Sequence, residues 1–323
     1  MTRVVRWKWP GLLFSLFSVF FWLVTSATAF DLELSVNSGY DDNPRQEKGS
    51  EGALFTQTEL DFDWALPQEF IPATSISLFG FAAYQCYSGL DNNWQLGSGL
   101  GTTTQVRKIP GNLSFFTEIA SYRNPLISDN DYESLSLGSS FIWFAGPQLS
   151  LEIETSLAWE DYRDTITRGQ HPKKNSRNVS RKAGQSAHHN SGDRNDRLFT
   201  TSLKSLYAFS PDFDGTSSVF WRRRHSSIDA ECRTAYGLNL DLNWRPIPAI
   251  EFNWQLGGER SPYKYKYQKR NRTENIYKLG AEISWYLKEF TLQASFNWDK
   301  RNSSVNEGDY QRNQWQIRLK YSY

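Results

Sequence analysis

The chain has 323 residues, 39% hydrophobic and 22% charged, with a mean hydropathy of −0.61. Its 36 basic and 35 acidic residues leave a formal charge of +1, so no global field selects nucleic acid as a partner. Two cysteines exclude a disulfide framework and a thiolate zinc site, and the composition does not explain an aromatic content of 15%.

The first thirty residues set the compartment. Arg3, Arg6 and Lys8 precede an apolar run over residues 11–24, and Ala27-Thr28-Ala29 supplies small residues at cleavage positions. This is the three-part layout of a secretory signal peptide, so residues 1–29 are expected to be removed and the mature chain to start at Phe30. Losing three basic residues turns the formal charge from +1 to −2. Beyond residue 29 no stretch approaches the ~18 apolar residues that a membrane helix requires.

From Phe30 onward the sequence alternates with period two. Residues 30–40 and 54–66 begin the pattern, and residues 149–159 set Leu149, Leu151, Ile153, Leu157 and Trp159 against Ser150, Glu152, Glu154, Ser156 and Glu160. Residues 236–244, 277–287 and 290–298 repeat it. The last ten residues place Trp315, Ile317, Leu319, Tyr321 and Tyr323 on one face and Gln314, Gln316, Arg318, Lys320 and Ser322 on the other. A helix would mix these sets, whereas a strand separates them.

About fourteen such segments follow one another, near residues 30–40, 53–66, 74–87, 93–105, 113–123, 131–143, 148–162, 197–209, 215–225, 232–245, 249–260, 275–287, 290–301 and 310–323. Connections after the odd segments tend to be longer and hydrophilic, the longest spanning residues 165–195. Those after the even segments are mostly short and often carry Pro or Gly. Long loops on one rim and tight turns on the other predict an all-β fold: a single antiparallel transmembrane β-barrel of about 14 strands over residues 30–323, both termini on the short-turn side. The aromatics then form two interfacial belts. Trp64, Trp143, Phe209, Trp244, Trp285, Tyr321 and Tyr323 fall near the short-turn rim, and Tyr40, Tyr84, Trp94, Trp159, Trp221, Trp254, Trp298 and Trp315 near the long-loop rim.

On these residues the chain resembles the Gram-negative outer-membrane β-barrel class over its whole mature length. The resemblance implies the cell outer membrane, lipid and lipopolysaccharide as surroundings, and a terminal strand ending at Tyr323 that the barrel-assembly machinery reads. Members of the class often end in Phe, and Tyr323 departs from that. A second likeness is Ser38-Gly39-Tyr40-Asp41-Asp42-Asn43-Pro44, similar to the opening of barrels of surface-lipoprotein export and exopolysaccharide systems. The helical-repeat domain that precedes the barrel in the lipoprotein exporters does not occur in this sequence.

Fourteen strands spaced ~4.8 Å apart and tilted ~40° give a backbone diameter of roughly 28 Å, enough to hold water. The expected pore-lining acids include Asp31, Glu33, Glu59, Asp61, Asp63, Glu118, Glu152, Glu154 and Glu251, and the bases are Lys204, Arg222, Arg224, Arg233, Lys278, Arg318 and Lys320. Most acids fall in the first half and most bases in the second. Two readings stand: opposed charged walls that tune selectivity, or charges that pair and satisfy one another.

In the loop 165–195, Arg168, Lys173, Lys174, Arg177, Arg181 and Lys182 are accompanied by His171, His188 and His189. It reads as a constriction loop folded into the lumen, as a contact for lipopolysaccharide phosphates, or as a solvated surface loop. No carboxylate cluster accompanies the histidines, so neither a metal site nor a cofactor site is read. His225, followed by Ser226 and Ser227, is the single rim candidate for nucleophilic chemistry. Cys86 and Cys232 lie about half a barrel apart, too far for a disulfide. The sequence therefore points to a porin-like channel for passive passage of small hydrophilic solutes. An accessory barrel for lipoprotein or exopolysaccharide export is the second reading, and a lipid-modifying hydrolase the third.

Overall fold

The computed structural model describes residues 29–47, 49–66, 73–106, 108–127, 131–162, 194–264, 271–305 and 309–322. Within them the chain forms one closed barrel of fourteen antiparallel strands in sequence order. These are β1 (Ala29–Asp41), β2 (Ala53–Ala65), β3 (Thr74–Tyr87), β4 (Asn93–Val106), β5 (Gly111–Arg123), β6 (Tyr132–Phe144), β7 (Leu149–Tyr162), β8 (Arg194–Ser210), β9 (Phe213–Ser226), β10 (Arg233–Ile247), β11 (Ile250–Pro262), β12 (Thr273–Leu287), β13 (Phe290–Ser303) and β14 (Tyr310–Ser322). Residues 211–212, 248–249 and 288–289 are two-residue turns between β8 and β9, β10 and β11, and β12 and β13. The longest connections, after β1, β7 and β11, leave from the opposite rim, while the eight residues between β2 and β3 lie on the short-turn side. The expected signal segment lies, apart from Ala29, outside the described residues.

The alternation acts as the sequence predicts. One face of each strand carries exposed aliphatic and aromatic side chains, among them Leu54 at 63%, Ile119 at 59% and Ile317 at 61%. A water-soluble fold would bury such residues; a sheet closed on itself turns them toward lipid. Among the described residues the one buried apolar cluster is small: Ala53, Phe55 and Tyr87, at the long-loop end of the interior. Rings pack side by side on the outer surface near the short-turn rim. Phe209 lies 5.0 Å from Phe213, Trp244 5.5 Å from Phe252, and Phe290 5.2 Å from Tyr321. Two belt residues differ from expectation. Trp254 is only four residues from the short-turn start of β11 and stacks on Phe252, so it belongs to the lower group. Trp64 faces outward but is 4% exposed, flanked in register by Phe30 and Leu78.

The ring closes where β1 meets β14, from Glu33↔Ser322 to Asp41↔Gln314. The segment Ser38–Pro44 forms the long-loop end of that seam. Arg312 Nε donates to both carboxylate oxygens of Asp41, at 3.0 and 2.9 Å, and the Tyr87 hydroxyl donates to the same group at 3.3 Å. The Asp42 N–H donates to the Asn313 carbonyl at 3.0 Å, and the Asn313 N–H donates back to Asp42 Oδ1 at 2.6 Å. Asn43 Nδ2 donates to the Gln311 carbonyl at 2.9 Å. At the other end, Lys320 Nζ sits 2.6 Å from Glu33 and Arg318 3.4 Å from Glu59.

Aromatic side chains cover glycines directly opposite them: Phe55 over Gly39, Phe62 over Gly80, Phe79 over Gly99, Phe81 over Gly97, Phe116 over Gly138 and Phe220 over Gly237. The ring covers backbone that glycine leaves bare and takes the space of the absent Cβ, which pins the register. At Gly97 a Cβ would meet Phe81 Cε1 at 2.6 Å and the Ala120 methyl at 3.2 Å, and its nearest neighbours are side chains. Gly97→Val is therefore expected to lower barrel stability by about 1–3 kcal/mol, the usual range for overpacking. Adding Phe81→Ala should restore part of the loss, as read from urea unfolding in lipid vesicles. A double variant no more stable than Gly97→Val alone would refute the steric account.

Candidate functional site

Strand register fixes which side chains enter the barrel. All the expected lining residues described above do so: Asp31 and Glu33 on β1; Glu59, Asp61 and Asp63 on β2; Glu118 on β5; Glu152 and Glu154 on β7; Lys204 on β8; Arg222 and Arg224 on β9; Arg233 on β10; Glu251 on β11; Lys278 on β12; Arg318 and Lys320 on β14. Each alternates with the apolar residues of the outer face. With Asp41 and Glu160 added, every inward charge on β1–β7 is acidic. The expectation of a matching basic wall needs correction. The β8–β14 half mixes Arg and Lys with Asp196, Asp214, Asp241, Glu251, Glu259, Glu274, Glu282 and Asp299.

The charges pair along the wall rather than across the bore. Lys204 Nζ lies 2.8 Å from Glu154 and 3.5 Å from Glu152 on the adjacent strand. Arg222 reaches Glu259 at 3.9 Å and Arg224 reaches Glu160 at 3.6 Å, each two strands away. Arg245, at the short-turn end, holds Glu251 at 2.6 Å and Asp214 at 3.5 Å. Long inward side chains thus lean sideways onto neighbours, which gives these cations counter-charges without bridging the lumen.

The densest network sits at the long-loop end. Arg194 and Asp196 are both buried and joined at 2.6 Å, with the guanidinium 4.0 Å above the Tyr162 ring. Glu274, fully buried, receives Arg272 at 2.7 Å, Arg301 at 2.5 Å and Arg233 at 3.5 Å, while the Tyr263 hydroxyl donates to it at 2.9 Å. Burial raises the Tyr263 phenol above the ordinary tyrosine range, against the pull of the neighbouring Arg233. One carboxylate holds three guanidinium groups here. Glu274→Ala is expected to cost about 3–5 kcal/mol, because it leaves buried cations without their counter-charge. A urea midpoint within error of the parent would contradict that role.

Sequence reasoning counted Arg194 among the bases of the loop 165–195 and did not single out Asp196 or Glu274. β8 begins at Arg194 and β12 at Thr273, earlier than the expected 197 and 275, so charged strand ends read as loop. Arg168, Lys173, Lys174, Arg177, Arg181, Lys182 and Tyr323 lie outside the described residues. His225 points outward, into a rim cleft of about 710 Å³ with Trp159 and Arg197, and its Nδ1 is 3.8 Å from Cys232 Sγ. The neighbouring hydroxyls serve the backbone: Ile228 N–H donates to Ser226 Oγ at 3.1 Å and Asn195 N–H to Ser227 Oγ at 2.9 Å. Cys86 and Cys232 are both free thiols. Among the described residues no group of three or more His, Cys, Asp or Glu side chains is placed to hold a metal ion.

Between β3 and β7 the interior wall is paved with rings. Phe81 lies 6.4 Å from Tyr122, Tyr122 4.8 Å from Tyr132, and Tyr132 5.1 Å from Tyr162. On β4 the inward positions Gly97, Gly99 and Gly101 carry no side chain, which opens the wall where Phe79 and Phe81 lean over it.

No family model matches the chain, and neither does any curated protein. Among solved structures it is similar to the outer membrane channel DcaP of Acinetobacter baumannii, with a TM-score of 0.56 and 9% identity over 91% of this chain and 96% of that one. It is also similar to an anion-selective porin from Comamonas acidovorans, with a TM-score of 0.51 and 7% identity over 91% and 99% of the two chains. These likenesses show the fold, a closed antiparallel β-barrel.

Proposed function

We propose that the protein is a passive channel of the Gram-negative outer membrane for small hydrophilic solutes, exported by removal of residues 1–29. The observation that carries this reading is the interior: polar, charged, and paired along its wall so that no described ion pair bridges the bore. Transport through such a lumen needs no cofactor and no covalent step. The pore-lining set is the inward set above, and the uniformly acidic β1–β7 half enriches the lumen in cations.

In planar bilayers the protein should conduct, with a reversal potential in a KCl gradient that reports K⁺ passing in excess of Cl⁻. Asp61→Asn with Asp63→Asn should move that potential toward zero, since both acids face the lumen outside any close ion pair among the described residues. A folded protein that carries no current would count against the channel, and anion preference would count against the acidic wall.

The lipid partner we propose is lipopolysaccharide. Arg197, Arg223, Arg260 and Lys300 point outward two or three residues inside the long-loop ends of β8, β9, β11 and β13. None has an ion pair among the described residues, and they stand beside Phe199, Trp221, Tyr236 and Trp298 at the level of the upper aromatic belt. Bases at a headgroup surface contribute about 1 kcal/mol each toward anionic lipid. Replacing all four with Gln should reduce the lipopolysaccharide retained per barrel after detergent purification; unchanged retention would remove this arc as the contact. β14 supplies the alternating terminal strand proposed as the signal for barrel assembly.

A further inference from the structure

One charge stands alone on the ring-paved part of the wall. Glu118 projects inward from β5, and among the described residues it has no ion pair and no side-chain hydrogen bond. Directly across the ladder on β4 is Gly99, and the space beside it is taken by the Phe79 ring, whose Cε2 lies 2.9 Å from the position of the missing Cβ. Phe81 covers Gly97 in the same way, one inward position toward the long loops. Phe116, two residues before Glu118, lies over Gly138 on β6. The carboxylate is therefore bordered by aromatic side chains on both sides, along a half-barrel wall that has no inward base.

A hydrated metal ion gains little from such surroundings, because the rings cannot replace its water. A quaternary or alkylated ammonium is different. Its charge is spread over a weakly hydrated, partly apolar surface, which the faces of aromatic rings attract while a carboxylate supplies the counter-charge. We propose that Glu118, with Phe79, Phe81 and Phe116, forms a subsite for small organic cations on the interior wall. The assignment deepens the channel reading and relies on it for solute access.

The probes are choline and 3,3-dimethylbutan-1-ol, which has the same shape without the charge. Titrated calorimetrically into the full-length barrel folded in detergent, choline should bind saturably and the neutral alcohol at least about ten-fold more weakly. Glu118→Gln should weaken choline by about ten-fold, and Phe79→Leu, which keeps Gly99 covered, by about five-fold, with the circular dichroism of both unchanged. Equal binding of the two probes, or choline binding indifferent to Glu118→Gln, overturns the subsite. In bilayers, choline should reduce the K⁺ current of the parent more than that of Glu118→Gln. Choline binding by a barrel that carries no current would defeat the channel and keep the subsite. Current that choline and the alcohol affect alike would keep the channel and defeat the subsite.

Discussion

Everything in this molecule depends on one closure, the antiparallel pairing of β1 with β14. In lipid no water replaces a missing hydrogen-bond partner, so a sheet crossing the membrane has to end on itself. The fourteen-strand ring meets that demand with backbone bonds, but backbone bonds alone do not choose a register. The choice is made by side chains: Asp41 with Arg312 and Asp42 with Asn313 at one end, Glu33 with Lys320 at the other. The aromatic–glycine pairs do the same work around the ring, since a slip by one residue would send each ring to the other face of the sheet.

Closure also sets the electrostatics. Charged side chains that enter a narrow space need partners, and two arrangements are open to them: across the bore or along the wall. This barrel takes the second, with each described lumenal pair formed between strands at most two apart. On the channel reading proposed above, pairs across the bore would plug it, while pairs along the wall would leave it to a field set by the acids without close bases, such as Asp61, Asp63 and Glu118. At the long-loop end the same chemistry is denser, and Glu274 serves as a hub for three arginines.

Much of this was legible in the sequence because the strand period of two is imposed at every residue. Lipid outside and water inside leave little freedom, so inward residues such as Glu152, Lys204 and Arg318 could be assigned without coordinates. The errors lie where that constraint weakens. At the ends of β8 and β12 both faces are polar, and Arg194, Asp196 and Glu274 looked like loop residues until the pairing showed strand. The mixed character of the second half was harder to read: counting charges along the chain does not say that an acid such as Glu259 sits among arginines from other strands. The partners of Gly97 and Gly99 were also invisible, since a cross-strand ring contact depends on register rather than on neighbours in sequence. Trp254 was placed at the wrong height although the start of β11 was expected within one residue, because the alternation fixes the face of a side chain and not its depth in the membrane.

The Asp41–Arg312 pair joins residues 271 positions apart, near the two ends of the chain. Almost the whole polypeptide has to be in place before that contact exists, and the entropy of closing so long a segment is met only once the intervening strands are zipped. A polypeptide cut short after β13 keeps Asp41, Asp42 and Asn43 but lacks Arg312, Asn313 and the Gln311 carbonyl. It therefore presents acids without their partners, among them Asp41, Asp42 and Glu33, along an open strand edge where the closed barrel has a sealed joint. The first strand thus carries, in Asp41, Asp42 and Glu33, a chemical record of whether β14 has docked beside it.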